Sequence, residues 1–434
     1  MIISYSLISV LIICRLLIDF LYFSYVLDFY AYEGYTGSLD SYVINFFPSL
    51  IFLIPFLINN TQKINISNYL IFILLVGILF PASSLFAFGG ITTSWFLINF
   101  FFFLVITFAN YFLSKADFQS IAPNDYSAFN FLLFTITAIA SIVFISRFGI
   151  NLDFELFSFD SELIASQRKL YKSMAAPAGV TGYLIANFYN LIIPVLFGYS
   201  IIFRNKIIFI ISLFLCMIAF SATSARALPF TLGLFYAIIK INRFNDHPKQ
   251  YDYMKGYFIV LLIVGIIFFI IPKESPLIII PALVFNRTIF SAQLVSFSYY
   301  NFFQTHNYTY FLDTTIGSII GKNYHTDLPL EIGRIFFNNA NANTGIISDG
   351  YAKMGLLGVF ISAIVLLIIL RIIEFLSNKK NLLLVKVIMT LPIFVLINGS
   401  IFTSVLTNGL LLSLIFISLI PLDKVDKVVN NVRN

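Results

Sequence analysis

Apolar runs long enough to cross a bilayer recur along the chain, and they constrain its fold more than any other feature. About 20 apolar residues span the hydrocarbon core as a helix. The 434 residues are 59% hydrophobic and only 11% charged, with a mean hydropathy of +0.94. This composition excludes a water-soluble fold. We therefore predict an all-α polytopic integral membrane protein of about twelve transmembrane helices, with residues 1–434 forming a single transmembrane domain.

The hydropathy pattern places the predicted spans at 2–27, 42–58, 68–88, 93–113, 127–147, 181–203, 207–223, 227–241, 256–272, 351–373, 382–400 and 403–421. Basic residues in short loops mark the cytoplasmic side of a membrane protein. On one side of the predicted spans lie Lys63, Lys115, Arg204 and Lys206, with clusters around Arg243, Lys379 and Lys424. We expect that side, including both termini, to be cytoplasmic in a bacterial inner membrane.

Two long polar loops, residues 148–180 and 273–350, are predicted on the opposite, periplasmic side. Long loops do not follow the basic-residue rule. Their basic residues are therefore explained either as solvated surface or as ligands for an anion. These residues are Arg168, Lys169, Lys172, Lys273, Arg287, Lys322 and Arg334.

Several classes of site are disfavoured by the sequence. The basic residues behind the net charge of +6 are scattered over short loops, so we expect no nucleic-acid partner. Cys14 and Cys216 each lie in an apolar run, which argues against a disulfide framework or a thiolate metal cage. No metal or nucleotide motif is present, and we predict no metal and no cofactor. The acidic residues Asp28, Glu33 and Asp40 keep a metal-dependent alternative open.

Four charged residues in or near the predicted spans call for an explanation. Arg15 and Asp19 are four residues apart, so we expect them to neutralise each other on one helical face. Arg226 lies in a turn of small residues before Pro229, where a lone cation can face an anion. Arg168 offers a planar fork suited to two phosphate oxygens, although a basic cluster beside a span also attracts lipid headgroups.

The second long loop holds the most unusual segments. Residues 281–307 are dense in Phe and Tyr around Arg287, and rings such as that of Tyr299 serve either as interfacial anchors or as surfaces for sugar stacking. The loop ends in an asparagine-rich stretch that runs into the next span. Amides and hydroxyls there can bind sugar hydroxyls or cap the helix. The candidate residues of this part of the loop are His306, His325, Arg334, Asn341, Asn343, Thr344, Asp349 and Tyr351.

Residues 287–303 and 341–355 together resemble the Wzy-type O-antigen or capsule repeat-unit polymerases. Residues 167–194 and 223–226 are similar to further positions of that family. The resemblance implies a multi-span, GT-C-like glycosyltransferase. It would transfer a glycan from undecaprenyl pyrophosphate onto a new lipid-linked repeat unit at the periplasmic face. Its partners would be that lipid-linked oligosaccharide, membrane lipids and a chain-length regulator.

The resemblance also implies roles for individual residues. Cations must neutralise the departing pyrophosphate, for which we expect Arg168, Arg226 and Arg287, with Arg334 in reserve. A base must accept the proton of the attacking hydroxyl, for which Asp349 and His325 rank equally, with His306 also in the loop. The expected substrate-binding residues are Tyr299, Asn341, Asn343, Thr344 and Tyr351.

Two other functions remain open on the sequence. A lipid-linked oligosaccharide flippase or transporter would also need many spans and outward cations, but it predicts a charged central cavity. An O-antigen ligase would share the leaving group and differ only in its acceptor.

Overall fold

The computed structural model describes residues 5–60, 65–113, 123, 125–150, 166–167, 171, 180–223, 227–244, 249–273, 275, 278–313, 327–338 and 340–422. The described residues form helices and turns without a strand, as expected for an α-helical membrane protein. The helices are Tyr5–Leu21, Leu27–Tyr30, Leu39–Ser49, Leu53–Asn60, Ile66–Leu74, Phe80–Phe88, Thr93–Leu113, Ser127–Phe148, Val180–Asn187, Ile193–Ile202, Lys206–Thr223, Ala227–Phe244, Gln250–Ile270, Ile279–Phe285, Ser291–Phe303, Leu328–Phe336, Ile346–Ser377, Leu382–Val395, Ile401–Thr407 and Leu410–Ser418.

π-helical and 3-10 turns join several of these helices into longer runs. The π turns are Tyr22–Val26, Leu75–Leu79, Phe188–Ile192 and Asn286–Phe290, and the 3-10 turns include Ala31–Glu33 and Leu50–Phe52. Counted with these turns, nine helices in the described part of the chain are long and apolar enough to cross a membrane. The prediction of a polytopic α-helical protein is therefore confirmed in its coarse form, whereas the count of about twelve spans stays a prediction.

Two predicted segments differ from the structure. Residues 403–421 do not form one continuous helix, because the chain breaks between the helices Ile401–Thr407 and Leu410–Ser418, where Gly409 has a φ of +80°. Residues 273–350 are not simply a loop, since they contain the Ser291–Phe303 and Leu328–Phe336 helices. Because these helices contain many polar side chains, the hydropathy pattern does not predict them as spans.

The helix that follows the second predicted loop starts earlier than expected. It begins at Ile346, so Asp349 and Tyr351 lie on a helix, and it is interrupted by non-helical backbone at Met354 and by Gly355, which has a φ of +61°. A Cβ at Gly355 would lie 2.7 Å from the Tyr308 hydroxyl, so glycine is required there for both space and backbone conformation.

The chain divides into two compact units. The first comprises residues 1–117, 247–371 and 393–402, and the second comprises 118–246, 372–392 and 403–434. In the first unit, Tyr5–Leu21 packs against Gln250–Ile270, and Leu39–Ser49 packs against Phe80–Phe88. In the second unit, Ile193–Ile202 packs against Lys206–Thr223 and Ala227–Phe244.

The expected neutralisation of Arg15 by Asp19 is confirmed. Arg15 Nε lies 2.8 Å from Asp19 Oδ1, and both side chains are buried. The remaining guanidinium donors bond to the Ser83 hydroxyl at 2.9 Å and to the Ser83 carbonyl at 2.8 Å. The Tyr42 hydroxyl donates to the second Asp19 oxygen at 2.9 Å. These contacts satisfy the buried charges and give the pair a structural role in the first unit.

Candidate functional site

The asparagine loop, defined here as residues 340–345, packs on the Leu328–Phe336 helix of the first unit. The Ala342 amide donates to the Pro329 carbonyl at 3.0 Å. A Cβ at Gly333 would lie 1.7 Å from the Ala340 carbonyl oxygen, so only glycine lets the loop backbone approach this closely. The side chains of Asn341 and Asn343 are exposed, and the amide of Asn341 donates to that of Asn343 at 3.3 Å. The loop backbone is thus fixed while its amide side chains face outward.

Tyr299 holds the asparagine loop from the other side. It lies on the Ser291–Phe303 helix, is 1% exposed, and donates its hydroxyl to the Ala342 carbonyl at 2.9 Å. Burial raises the pKa of Tyr299 above its ordinary value, and neighbouring carboxylates add to the effect. The hydroxyl therefore remains a donor at neutral pH. Tyr299 was predicted to bind substrate. Its hydroxyl contacts the loop backbone and helps to position the loop.

A chain of hydroxyl groups continues from the loop into the protein. Thr344 and Ser348 place their hydroxyl oxygens 2.6 Å apart, and Ser348 lies 2.9 Å from the Ser296 hydroxyl. The Gly345 amide donates to Ser348 at 3.2 Å. Ser296 and Ser348 were not among the site residues predicted from the sequence. Their positions on the inner faces of two helices follow only from how those helices pack.

Asp349 is buried and already engaged by the protein. Its carboxylate forms an ion pair with Lys353, one helical turn away, and accepts a hydrogen bond from Ser400 at 2.7 Å. Lys353 Nζ lies 5.3 Å from the ring centroid of Phe402 and 5.7 Å from that of Phe311. Lys353 was not among the site residues predicted from the sequence, although its spacing of four from Asp349 is the same pattern that predicted the pairing of Arg15 with Asp19.

Tyr351 lies in an aromatic cluster next to this ion pair. Its ring centroid is 5.1 Å from that of Tyr300 and 5.9 Å from that of Trp95. The Gln304 amide donates to the Tyr351 hydroxyl at 2.6 Å. With 5% of its surface exposed, Tyr351 contributes mainly to packing between helices.

Arg287 differs from these buried residues because its side chain is 60% exposed. It belongs to the π turn Asn286–Phe290 that precedes the Ser291–Phe303 helix, and π turns are frequent at functional sites. Its Nη2 lies 3.6 Å from Oε1 of Glu33, and the Asn286 amide donates to the other Glu33 oxygen at 3.2 Å. A second ion pair, Lys273 Nζ to Asp28 Oδ2, lies close by in sequence and measures 2.9 Å. These contacts place the carboxyl-terminal end of the first span beside that of the Gln250–Ile270 span.

Arg287 lies on the same helical run as the residues that contact the asparagine loop. Ser296 and Tyr299, which contact the loop region, follow Arg287 by nine and twelve positions. A helical rise of about 1.5 Å per residue puts them roughly 13–18 Å further along the axis. The structure therefore brings together Tyr299, Asn341, Asn343, Thr344 and Asp349 near the carboxyl-terminal end of this run, residues 279–303, whereas Arg287 lies in its first half.

Arg334 and His306 are also among the described candidates. Arg334 is exposed in the last turn of the Leu328–Phe336 helix and forms no hydrogen bond or ion pair with another described residue. It follows Gly333, which abuts the asparagine loop. His306 stacks on Phe302 with ring centroids 3.9 Å apart, and its Nδ1 lies 2.9 Å from the Phe302 carbonyl.

Arg168, Arg226 and His325 lie outside the described residues. Within the part of the chain that the structure describes, no group of three or more His, Cys, Asp or Glu side chains is arranged to hold a metal ion. Cys14 and Cys216 are both free and buried. No family model matches the chain, no curated protein matches it, and no solved structure matches it.

Proposed function

We propose that this protein is an O-antigen or capsule repeat-unit polymerase of the Wzy type, with a GT-C-like architecture. It transfers a glycan from undecaprenyl pyrophosphate to a new lipid-linked repeat unit at the periplasmic face of a bacterial inner membrane. The proposal takes its chemistry from the sequence resemblance in residues 287–303 and 341–355. A chain-length regulator and membrane lipids are further proposed partners.

One structural observation carries most of the support for this proposal. An exposed guanidinium, that of Arg287, and the contact with a loop of exposed amides, made by Tyr299, lie along the same helical run, residues 279–303. Ser296 and Tyr299, which contact the loop region, lie roughly 13–18 Å from Arg287 along the helix axis. This spacing suits an extended ligand with an anionic group near Arg287 and sugar hydroxyls near the loop. A guanidinium binds two phosphate oxygens at once, and amides bond to hydroxyls.

In the proposed reaction, the acceptor hydroxyl oxygen forms a bond to the anomeric carbon of the donor. The bond from that carbon to the pyrophosphate oxygen breaks, and the acceptor proton passes to a base. Arg287 neutralises the departing pyrophosphate, and the exposed Arg334 supplies a further cation near the asparagine loop. Arg168 and Arg226 remain proposed phosphate ligands. His325 and Asp349 remain the proposed bases, although the contacts of Asp349 with Lys353 and Ser400 favour a positioning role for that carboxylate.

The two alternatives differ from this proposal in specific ways. A flippase or transporter would use charges inside the membrane. Two buried charged groups on candidate spans are engaged within the protein, Arg15 by Asp19, Ser83 and Ser49, and Lys353 by Asp349. A ligase would use the same donor and leaving group with a different acceptor. The acceptor therefore has to be identified by experiment.

Deleting the gene in its host and separating the surface glycan on a gel tests the proposal. Loss of the ladder with a single repeat still attached to the core supports a polymerase. Core without any repeat would indicate a ligase or flippase, and an unchanged glycan would refute the proposal.

Arg287→Ala, expressed in the deletion strain, tests the proposed leaving-group contact. We expect the ladder to be lost while the protein remains in the membrane. Lys273→Ala is the matched control, because it removes another exposed cation of the same region. A normal ladder from Arg287→Ala would exclude that residue from the site.

A further inference from the structure

The ion pair between Arg287 and Glu33 puts a carboxylate of the protein on the guanidinium proposed to bind phosphate. Glu33 lies in the 3-10 turn Ala31–Glu33 that ends the first helical run. Gly34 follows with a left-handed φ of +94°, and its amide donates to the Ala31 carbonyl at 3.0 Å. This closed turn sets the position of Glu33 beside the π turn that carries Arg287.

The two partners of the pair are held unequally. Glu33 is 17% exposed, and its carboxylate also accepts from Asn286 at 3.2 Å. Arg287 is mostly exposed, and its separation of 3.6 Å from Glu33 exceeds the roughly 2.7–2.9 Å of a strong charge-assisted hydrogen bond. The guanidinium thus keeps donors for a second anion, whereas the carboxylate has a second partner within the protein.

We propose that Glu33 is a built-in competitor for the anion site on Arg287. Its carboxylate holds the guanidinium when no ligand is bound, and a phosphate-bearing ligand displaces it. The identity of this ligand as a lipid pyrophosphate rests on the proposed function. Competition for Arg287 is a property of the ion pair itself.

The geometry favours a competitor over a catalytic base. In inverting glycosidases the two catalytic carboxyl groups lie about 6.5–9.5 Å apart, because they act on opposite faces of the sugar. A carboxylate 3.6 Å from the guanidinium occupies the position of a bound phosphate oxygen. Glu33 and the leaving group therefore compete for one place.

A nearby hydroxyl offers the displaced carboxylate a new partner. Tyr30 is 4% exposed, and its hydroxyl has no hydrogen-bond partner among the described residues. It lies within electrostatic range of both Glu33 and Arg287. After the Glu33 carboxylate leaves the guanidinium, it can accept a hydrogen bond from this hydroxyl. The new bond limits the free-energy cost of displacing Glu33.

Competition by Glu33 affects which anionic ligands can occupy Arg287 at a membrane surface. An open guanidinium in the interface attracts the phosphodiester headgroups of ordinary anionic lipids. Displacing Glu33 costs the same for every ligand, so a weakly bound phosphodiester leaves most of Arg287 paired with Glu33, while a more tightly bound, more highly charged pyrophosphate still displaces it.

Ligand binding to the purified full-length protein in neutral detergent tests this inference. Inorganic pyrophosphate and a short-chain phosphatidylglycerol are titrated separately, with calorimetry as the measurement. Glu33→Gln keeps the side-chain shape and removes the charge. We expect it to lower the Kd of both ligands by roughly two- to fivefold, the range expected for an exposed ion pair.

Asp28→Asn is the matched control, because it removes one negative charge from the neighbouring Lys273 pair. We expect it to change neither Kd by as much as Glu33→Gln does. An equal effect of both variants on the Kd, or an unchanged or higher Kd for Glu33→Gln, would refute the proposal that Glu33 competes for Arg287.

Arg287→Gln, alone and combined with Glu33→Gln, separates this inference from the proposed function. We expect Arg287→Gln to weaken pyrophosphate binding and to abolish the effect of Glu33→Gln. Unchanged pyrophosphate binding in Arg287→Gln would remove Arg287 from the proposed site. If Arg287→Gln weakens pyrophosphate binding but Glu33→Gln leaves the Kd unchanged, then Arg287 stays in the proposed site and only the competition by Glu33 is refuted.

Discussion

The hydroxyl of Ser400 donates a 2.7 Å hydrogen bond to Oδ2 of Asp349, while Lys353 engages the other oxygen of that carboxylate. The residue that the sequence marked as a candidate base is therefore held on both oxygens and buried. These contacts tie the helix that begins at Ile346 to the segment around Ser400.

Asp349→Asn should destabilise the protein strongly. The change leaves Lys353 buried without a counter-charge, and breaking a buried ion pair from one side costs about 3–5 kcal/mol. We expect a lower thermal unfolding temperature in detergent. The double variant Asp349→Asn, Lys353→Met should recover part of the loss, because both charges are then absent.

The same double variant tests the role of Asp349 in polymer formation. A ladder from the folded double variant would assign Asp349 a positioning role. A stable double variant without polymer would support Asp349 as the base. An Asp349→Asn single variant as stable as the wild type would contradict the ion-pair prediction.

Tyr299→Phe should loosen the asparagine loop. It leaves the buried Ala342 carbonyl without the hydrogen bond that Tyr299 donates, and such a loss costs about 1–3 kcal/mol. Thermal unfolding in detergent measures the effect. Tyr310→Phe is the control because Tyr310 is 59% exposed, and we expect it to leave the unfolding temperature unchanged. Equal unfolding temperatures for both variants would refute a role for the Tyr299 hydroxyl.

Gly333→Ala should displace the asparagine loop from the Leu328–Phe336 helix. The added Cβ would lie 1.7 Å from the Ala340 carbonyl oxygen, so the backbone has to move. We expect lower thermal stability and faster proteolysis within the loop. Gly233→Ala is the contrasting case, since a Cβ there meets open space on a helix and should stabilise by about 0.5–1 kcal/mol. Unchanged loop proteolysis in Gly333→Ala would contradict the packing described.

The buried Lys380 should make the folding stability of the second unit depend on pH. It lies in the turn before the Leu382–Val395 helix and donates to the Ile417 and Ser418 carbonyls at 2.9 and 3.0 Å. Burial lowers its pKa from 10.5 to about 8. Between these values the unfolded state binds more protons than the folded state, so the contribution of Lys380 to stability rises with pH. Below about pH 8 both states are protonated and its contribution is constant.

Thermal unfolding of the wild type and Lys380→Met from pH 7 to 10 measures this contribution. Other titrating groups are common to both proteins and cancel in the difference. We expect the stability of the wild type relative to Lys380→Met to increase above about pH 8. A flat or falling difference would contradict the lowered pKa of Lys380.

Local hydrophobicity was enough to place many of the helices from the sequence. The predicted span 93–113 coincides with the helix Thr93–Leu113, and 127–147 differs from Ser127–Phe148 by one residue. Burial of an apolar run in hydrocarbon depends on the run itself, because its backbone bonds are made within the helix. The pairing of Arg15 with Asp19 was predictable for the same reason, since both lie on one helical face.

Interactions between distant segments depended on the tertiary structure. The Arg287–Glu33 pair joins the end of the first span to a turn before the Ser291–Phe303 helix, and no local pattern indicates it. The same holds for Ser400 on Asp349. Sequence alone determined that the chain forms membrane-spanning helices and which polar segments flank them. Only the packing of those helices decided which polar groups are buried against each other and which, like Arg287, stay exposed, because ion pairs and hydrogen bonds require atoms to meet within a few ångströms.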